Sequence, residues 1–193
     1  MRRLAGLAAV PLLLMTACTQ TEPEPSIDLG PGETQDEQVD ELDIFVESMS
    51  MYLGEDHTFR DSEVDEWSRE HYADNRRPTA AADCAEGYHR HKVVFEYSGL
   101  DAEQAYSDAE DLGRNLGFTP NEAVNNDASD GDRMNYTATS EEGRSLIVRQ
   151  QRENDDDIEV IYRTPCSDDP SLQQVIDDRV DEGLQDELED VDL

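Results

Sequence analysis

The stretch from Lys92 to Thr164 constrains the fold more than any other part of the chain, because its apolar residues change period twice. In KVVFEYSG, 92 to 99, Val93, Phe95 and Tyr97 alternate with more polar neighbours, which predicts a strand with one buried face. The following DAEQAYSDAEDLGRNLGF changes to helical spacing, with Asp101 as N-cap, a stripe of Ala102, Ala105, Tyr106, Ala109, Leu112 and Leu116, and a stop at Gly117. After a polar loop the pattern returns to short strands in RMNYTATS, RSLIVRQQ and DIEVIYRT, separated by Glu141-Glu142-Gly143 and by Asn154 to Asp157. Four strands with one helix between the first and the second point to an antiparallel α+β sheet.

The flanks are helical. Val39, Leu42, Phe45, Val46, Met49, Tyr52 and Leu53 recur at three- and four-residue steps, while Asp36, Asp40, Glu41, Asp43 and Glu47 occupy other faces. This predicts an amphipathic helix over 36–53, ended near Gly54. Trp67, the only tryptophan, falls in a second short helix around 62–73 and is expected to anchor it in the core. Pro170 opens a C-terminal helix through Leu172, Val175, Ile176 and Val180, and residues 185–193 form an acidic tail.

The N-terminus has the layout of a targeting segment. Arg2 and Arg3 precede an apolar block from Leu4 to Met15, broken only by Gly6 and Pro11, and Thr16 and Ala17 follow. That block falls short of the roughly 20 apolar residues a membrane-spanning helix needs. Met15-Thr16-Ala17-Cys18 resembles the lipobox of bacterial lipoprotein precursors, in which the cysteine thiol is alkylated by a diacylglyceryl group and the bond before it is cut. The resemblance covers residues 1 to 18, and the composition beyond them is similar to that of small lipoproteins of high-GC Gram-positive bacteria. It implies a signal peptide at 1–17, lipidation of Cys18, and residence on the extracytoplasmic face of the cell membrane. Two acyl chains make such an anchor stable where one does not. Residues 18–35, rich in proline and glycine, then read as a lipidated, solvated tether that could extend roughly 50 Å at about 3.1 Å per residue.

Charge narrows the partners. With 15 basic against 48 acidic residues the chain carries a formal charge of −33. Such a surface repels nucleic acid and anionic lipid, so the membrane is reached through the lipid alone. The remaining partner classes are an envelope protein or a cationic ligand.

Once Cys18 is acylated, Cys84 and Cys166 remain as an even pair in a compartment where disulfides persist. Their bridge would close a loop of about 82 residues, worth roughly 4.5 kcal/mol by chain entropy. With hydrophobic residues at 36% and aromatics at 6%, a small core gains from such a staple. Cys84 precedes the first of the four strands and Cys166 follows the last, so a bridge places those strands side by side. The expected architecture is a single α+β domain over 36–184 with a four-stranded antiparallel sheet in the order 2-3-4-1.

Motifs for chemistry are scarce. No G-x-S-x-G, H-E-x-x-H, G-x-G-x-x-G or P-loop occurs, and no cofactor is implied. NNDASDGD, 125 to 132, fails as an EF-hand because Ala128 and Thr137 stand where oxygen ligands and the closing Glu belong. His89 and His91 share a face if the chain is extended there and would give two metal ligands, which is short of a site. The reading that results is a lipid-anchored, non-catalytic module for binding or association at the envelope. Its contact surface would be the sheet face opposite the helices, with Val94 and Ile161 as contributors. The alternative is a metal-binding protein or hydrolase working through the His89 and His91 region.

Overall fold

The computed structural model describes residues 27–60, 66–75, 78–79, 84–127, 133–151 and 157–181. The signal segment, Cys18, the start of the tether, residues 62–65 of the second expected helix, residues 128–132 of the polar loop and the acidic tail lie outside the described residues.

The described residues form four helices, α1 (Gln35–Leu53), α2 (Arg69–Asn75), α3 (Ala102–Asn115) and α4 (Pro170–Asp181), and six strands. The strands are β1 (His57–Phe59), β2 (Lys92–Ser98), β3 (Thr119–Pro120), β4 (Asn135–Thr139), β5 (Ser145–Gln150) and β6 (Asp157–Arg163). They pair antiparallel throughout in the order β1-β2-β6-β5-β4-β3. The sheet therefore has six strands and not the expected four. The four strands legible from alternation occupy its centre, and β1 and β3 are edge additions of three and two residues, too short to show a period. Pro120 is tolerated in β3 because an edge strand can spare an N–H.

Local chemistry sets the helix ends. Thr34 and Glu37 form a reciprocal capping box at the start of α1, and Gly54, at a φ of 97°, closes its end with an N–H to Ser50 O. Asp101 caps α3 by accepting from Gln104 N at 3.0 Å. The apolar faces of α1, α2 and α3 meet one face of the sheet in a continuous cluster with Phe95, Tyr97, Val160, Tyr162 and Leu146 at its centre. Phe45 stacks on Tyr162 at 4.0 Å. Trp67 packs between Phe59 and Tyr72 and donates Nε1–H to Asp43 at 3.0 Å, so it anchors one end of that cluster.

The disulfide Cys84–Cys166 is formed, with a Cα–Cα distance of 5.8 Å. It lies just past the β2–β6 ladder, which His89 and Ser167 extend by a reciprocal pair of backbone hydrogen bonds at 2.8 and 2.9 Å.

Two expectations are corrected. Glu41, placed on the solvated side of α1 by its charge, is fully buried. Residues 27–34, assigned to the solvated tether, are held against the domain. Ile27 N–H donates to Asn115 O at 2.9 Å, Arg144 Nη2 to Gly30 O at 2.6 Å, Gln38 Nε2 to Gly32 O at 3.0 Å and Ser167 Oγ to Glu33 O at 2.5 Å. Proline and glycine gave that stretch the composition of a spacer, while polar side chains from α1, from the loop before β5 and from the segment after β6 satisfy its carbonyls.

Candidate functional site

The two histidines singled out from the sequence occupy different environments. His91 is fully buried. Its Nε2 lies 2.8 Å from Gln35 Oε1 and its Nδ1 3.1 Å from the Tyr72 hydroxyl, so both ring nitrogens are engaged. Because Gln35 presents a carbonyl oxygen, Nε2 carries the proton and Nδ1 accepts from Tyr72. Burial pushes the imidazole down to about 3, and it is neutral at physiological pH. Its backbone N–H donates to Thr164 Oγ1 at 2.9 Å and Gln38 Oε1 at 3.2 Å. His91 thus ties β2 to α1 and α2 and has no free nitrogen for a metal. His89 is buried beside the disulfide with neither ring nitrogen hydrogen-bonded. Among the described residues no group of three or more His, Cys, Asp or Glu side chains lies close enough to share an ion.

A second buried polar group sits one turn along α1. Arg144 donates from Nε and Nη2 to Glu41 Oε2 at 3.1 and 3.0 Å, and the Tyr162 hydroxyl donates to Glu41 Oε1 at 2.7 Å. Burial raises the Glu41 carboxyl above the ordinary carboxylate range, and Arg144 and Tyr162 hold it down against that. Burial, and then the charge of Glu41, raises the Tyr162 hydroxyl well above its usual range and keeps it a donor. The hydrogen-bonding capacity of this cluster is spent within the domain. Its work is to clamp the segment before α1, and it presents nothing to a substrate.

The outward face of the sheet has a different character. Val94, Ile161, Ile147 and Thr137 lie in register across β2, β6, β5 and β4, on the side away from the helix-packed cluster. Val94 and Ile147 are half-buried, and Ile161, at 5% exposure, is nearly closed off between them. Ile161 is therefore the floor of this band, and Val94 and Ile147 are its accessible part; Ile147 was not singled out from the sequence.

One pleat repeat to one side, Glu96, Glu159 and Arg149 share a row. Glu159 is held between Arg60 Nη1 at 2.9 Å and Arg149 Nε at 2.7 Å, and Gln151 Nε2 donates to Glu96 at 2.6 Å. To the other side Lys92, Arg163 and Ser145 form a row in which two cations face each other directly. Burial first, then Arg163, hold the Lys92 ammonium below the ordinary lysine range, with Arg149 and Arg60 adding to that and Glu159 opposing it. Residues 60, 92, 149 and 163 are far apart in the chain, so no local run of charge announces this face. Strand parity is the signal that could have found it, since 92, 94 and 96 must share a side.

Two open depressions lie elsewhere. One of about 440 Å³ sits between the start of α1 and α4, beside Gln35 and Ser171, and one of about 380 Å³ lies between α1 and Trp67, lined by Met51, Asp43, Glu47 and Glu55. Neither gathers a nucleophile, a base and an orienting partner.

Comparison with protein-family profiles, with curated proteins and with solved structures yields no match for this chain.

Proposed function

We propose that the chain is an exported, lipid-anchored protein on the extracytoplasmic face of a cell membrane, acting without catalysis as a binding module whose contact surface is the outward face of the sheet. The observation that carries this reading is the band of Val94, Ile161 and Ile147, an apolar strip across three central strands that lies outside the hydrophobic core. Apolar residues set in register on one sheet face, bordered by ion pairs, have the make-up of an interface centre with a polar rim. The disulfide supports the compartment, because such bonds persist outside the reducing cytosol.

Ile27, the first described residue, donates its N–H to Asn115 O at the C-terminal end of α3. Eight residues, 19 to 26, separate it from Cys18 and reach about 25 Å at roughly 3.1 Å each. The reading through His89 and His91 gains no support, since His91 is committed to Gln35 and Tyr72.

Site-specific photo-crosslinking in intact cells tests this function. A photoreactive side chain at Ile147 should give a discrete adduct, and one at the exposed Ser107 on α3 should not. Equal adduct patterns from both positions would count against a dedicated face.

A further inference from the structure

The methionines divide sharply between core and surface. Met49 and Met134 are 0% and 1% exposed, whereas Met51 is 73% exposed, the highest value of any large apolar side chain among the described residues. We propose that Met51 is a modification site at which a neutral peroxide places one oxygen atom, giving methionine sulfoxide while the fold stays intact. The site is on α1, in the helix layer, so it stands independently of the outward face of the sheet.

Helix geometry makes the difference between the two methionines of α1. A step of two residues turns a side chain by about 200° around the axis, so Met49 and Met51 point to opposite sides. Met49 belongs to the hydrophobic cluster, and Met51 lines the open depression of about 380 Å³ shared with Val46, Ser50 and Trp67. An oxidant therefore meets the Met51 thioether directly. It reaches Met49 and Met134 only through an opening of the core, whose free energy can rise to the full stability of the domain. Competing groups are few. Among the described residues both cysteines, Cys84 and Cys166, are joined in the disulfide and offer no thiol. Trp67, the other oxidisable side chain of the depression, is half-buried, with its Nε1–H held by Asp43.

The product is tolerated for the same reason. A sulfoxide is polar and disrupts a core that must bury it, but at Met51 the new S–O dipole stays in water. The step balances without a further reactant. A lone pair on Met51 Sδ attacks one peroxide oxygen, the S–O bond forms as the O–O bond breaks, and the departing oxygen leaves as water with the proton of the transferred one. Sulfur is oxidised by two electrons and the peroxide is reduced by the same two. The surroundings select the oxidant by charge. Glu47, one turn before Met51, and Glu55 line the same depression and are both exposed. Their carboxylates oppose an anionic oxidant and leave hydrogen peroxide or a neutral alkyl hydroperoxide unhindered.

The test treats the full chain, folded in neutral detergent, with hydrogen peroxide and maps the oxidised positions by peptide mass spectrometry. The first oxygen is expected on Met51, at least tenfold faster than on Met49 and Met134, and the singly oxidised chain should melt with the untreated one. Met51→Leu should melt with the wild type, lose the fast event and keep the slow ones. Peroxymonosulfate, an anionic oxidant, should attack Met51 at least twofold faster at low salt when Glu47→Gln and Glu55→Gln are combined, with the peroxide rate unchanged. Met51 reacting no faster than the core methionines, or a singly oxidised chain that melts several degrees lower, would overturn the site. A peroxymonosulfate rate indifferent to both carboxylates would overturn the selection of a neutral oxidant.

Discussion

Replacing Arg144 with Met should destabilise the domain by about 3–5 kcal/mol at neutral pH, the cost of stranding a buried charge. In the ion pair the side chains of Arg144 and Glu41 are 7% and 0% exposed, so solvent gives little relief. Met keeps much of the aliphatic volume, but it removes both donors to Glu41 Oε2 and the donor to Gly30 O, leaving Tyr162 as the remaining partner of the carboxylate. The loss of the Gly30 contact adds about 1 kcal/mol by itself.

The pH dependence identifies the cause. Burial already raises Glu41 in the folded protein, and losing Arg144 removes the larger part of what opposes that rise, leaving the Tyr162 hydroxyl. A carboxyl whose folded pKa lies above its unfolded value of about 4.3 favours folding at low pH and loses that contribution as pH climbs through the folded value. The gap between variant and wild type should therefore narrow between pH 8 and pH 5, and His91, common to both, cancels. Urea unfolding at several pH values measures the gap, and adding Glu41→Gln to Arg144→Met should recover part of the loss. A gap under about 1 kcal/mol, or one that does not move with pH, would refute an ionised Glu41 that depends on Arg144.

Other perturbations have equally definite outcomes. Because His91 is held neutral with its imidazole down at about 3, against about 6.5 unfolded, the wild type should lose stability on acidification below pH 6.5 with a slope approaching 1.4 kcal/mol per unit; His91→Gln should flatten that part of the profile. A Cβ at Gly113 would lie 3.1 and 3.2 Å from ring carbons of Tyr136 and closer still to its hydroxyl, so Gly113→Ala should cost about 1–3 kcal/mol despite better helix propensity, with Tyr136→Phe relieving it in thermal melts. Reduction of Cys84–Cys166 should lower stability by about 2–5 kcal/mol, and two reactive thiols in denatured, unreduced protein would contradict the bridge.

The central strands were legible because alternation over five to seven residues is a strong signal, and the bridge bracketing them supplied their order. β1 and β3 were not, since two or three residues carry no period and their pairing depends on β2 and β4 being in place. Glu41 misled for a physical reason: a carboxylate between hydrophobic turns reads as solvated unless its cation, 103 residues away, is known. Residues 27–34 misled through composition, although the Thr34–Glu37 capping box stood in the sequence as a sign that order begins there. The outward face was half legible. Val94 and Ile161 follow from parity, but Ile161 proved to be the covered floor, and the cations beside it come together only once the register is set.

Intact-mass analysis of the protein extracted from membranes tests the anchored-module account most directly. The account predicts a mature chain beginning at Cys18, lacking residues 1–17, with a diacylglyceryl adduct on the cysteine that disappears in Cys18→Ala. A chain that retains residues 1–17, or a mature chain with an unmodified Cys18 thiol, would contradict it.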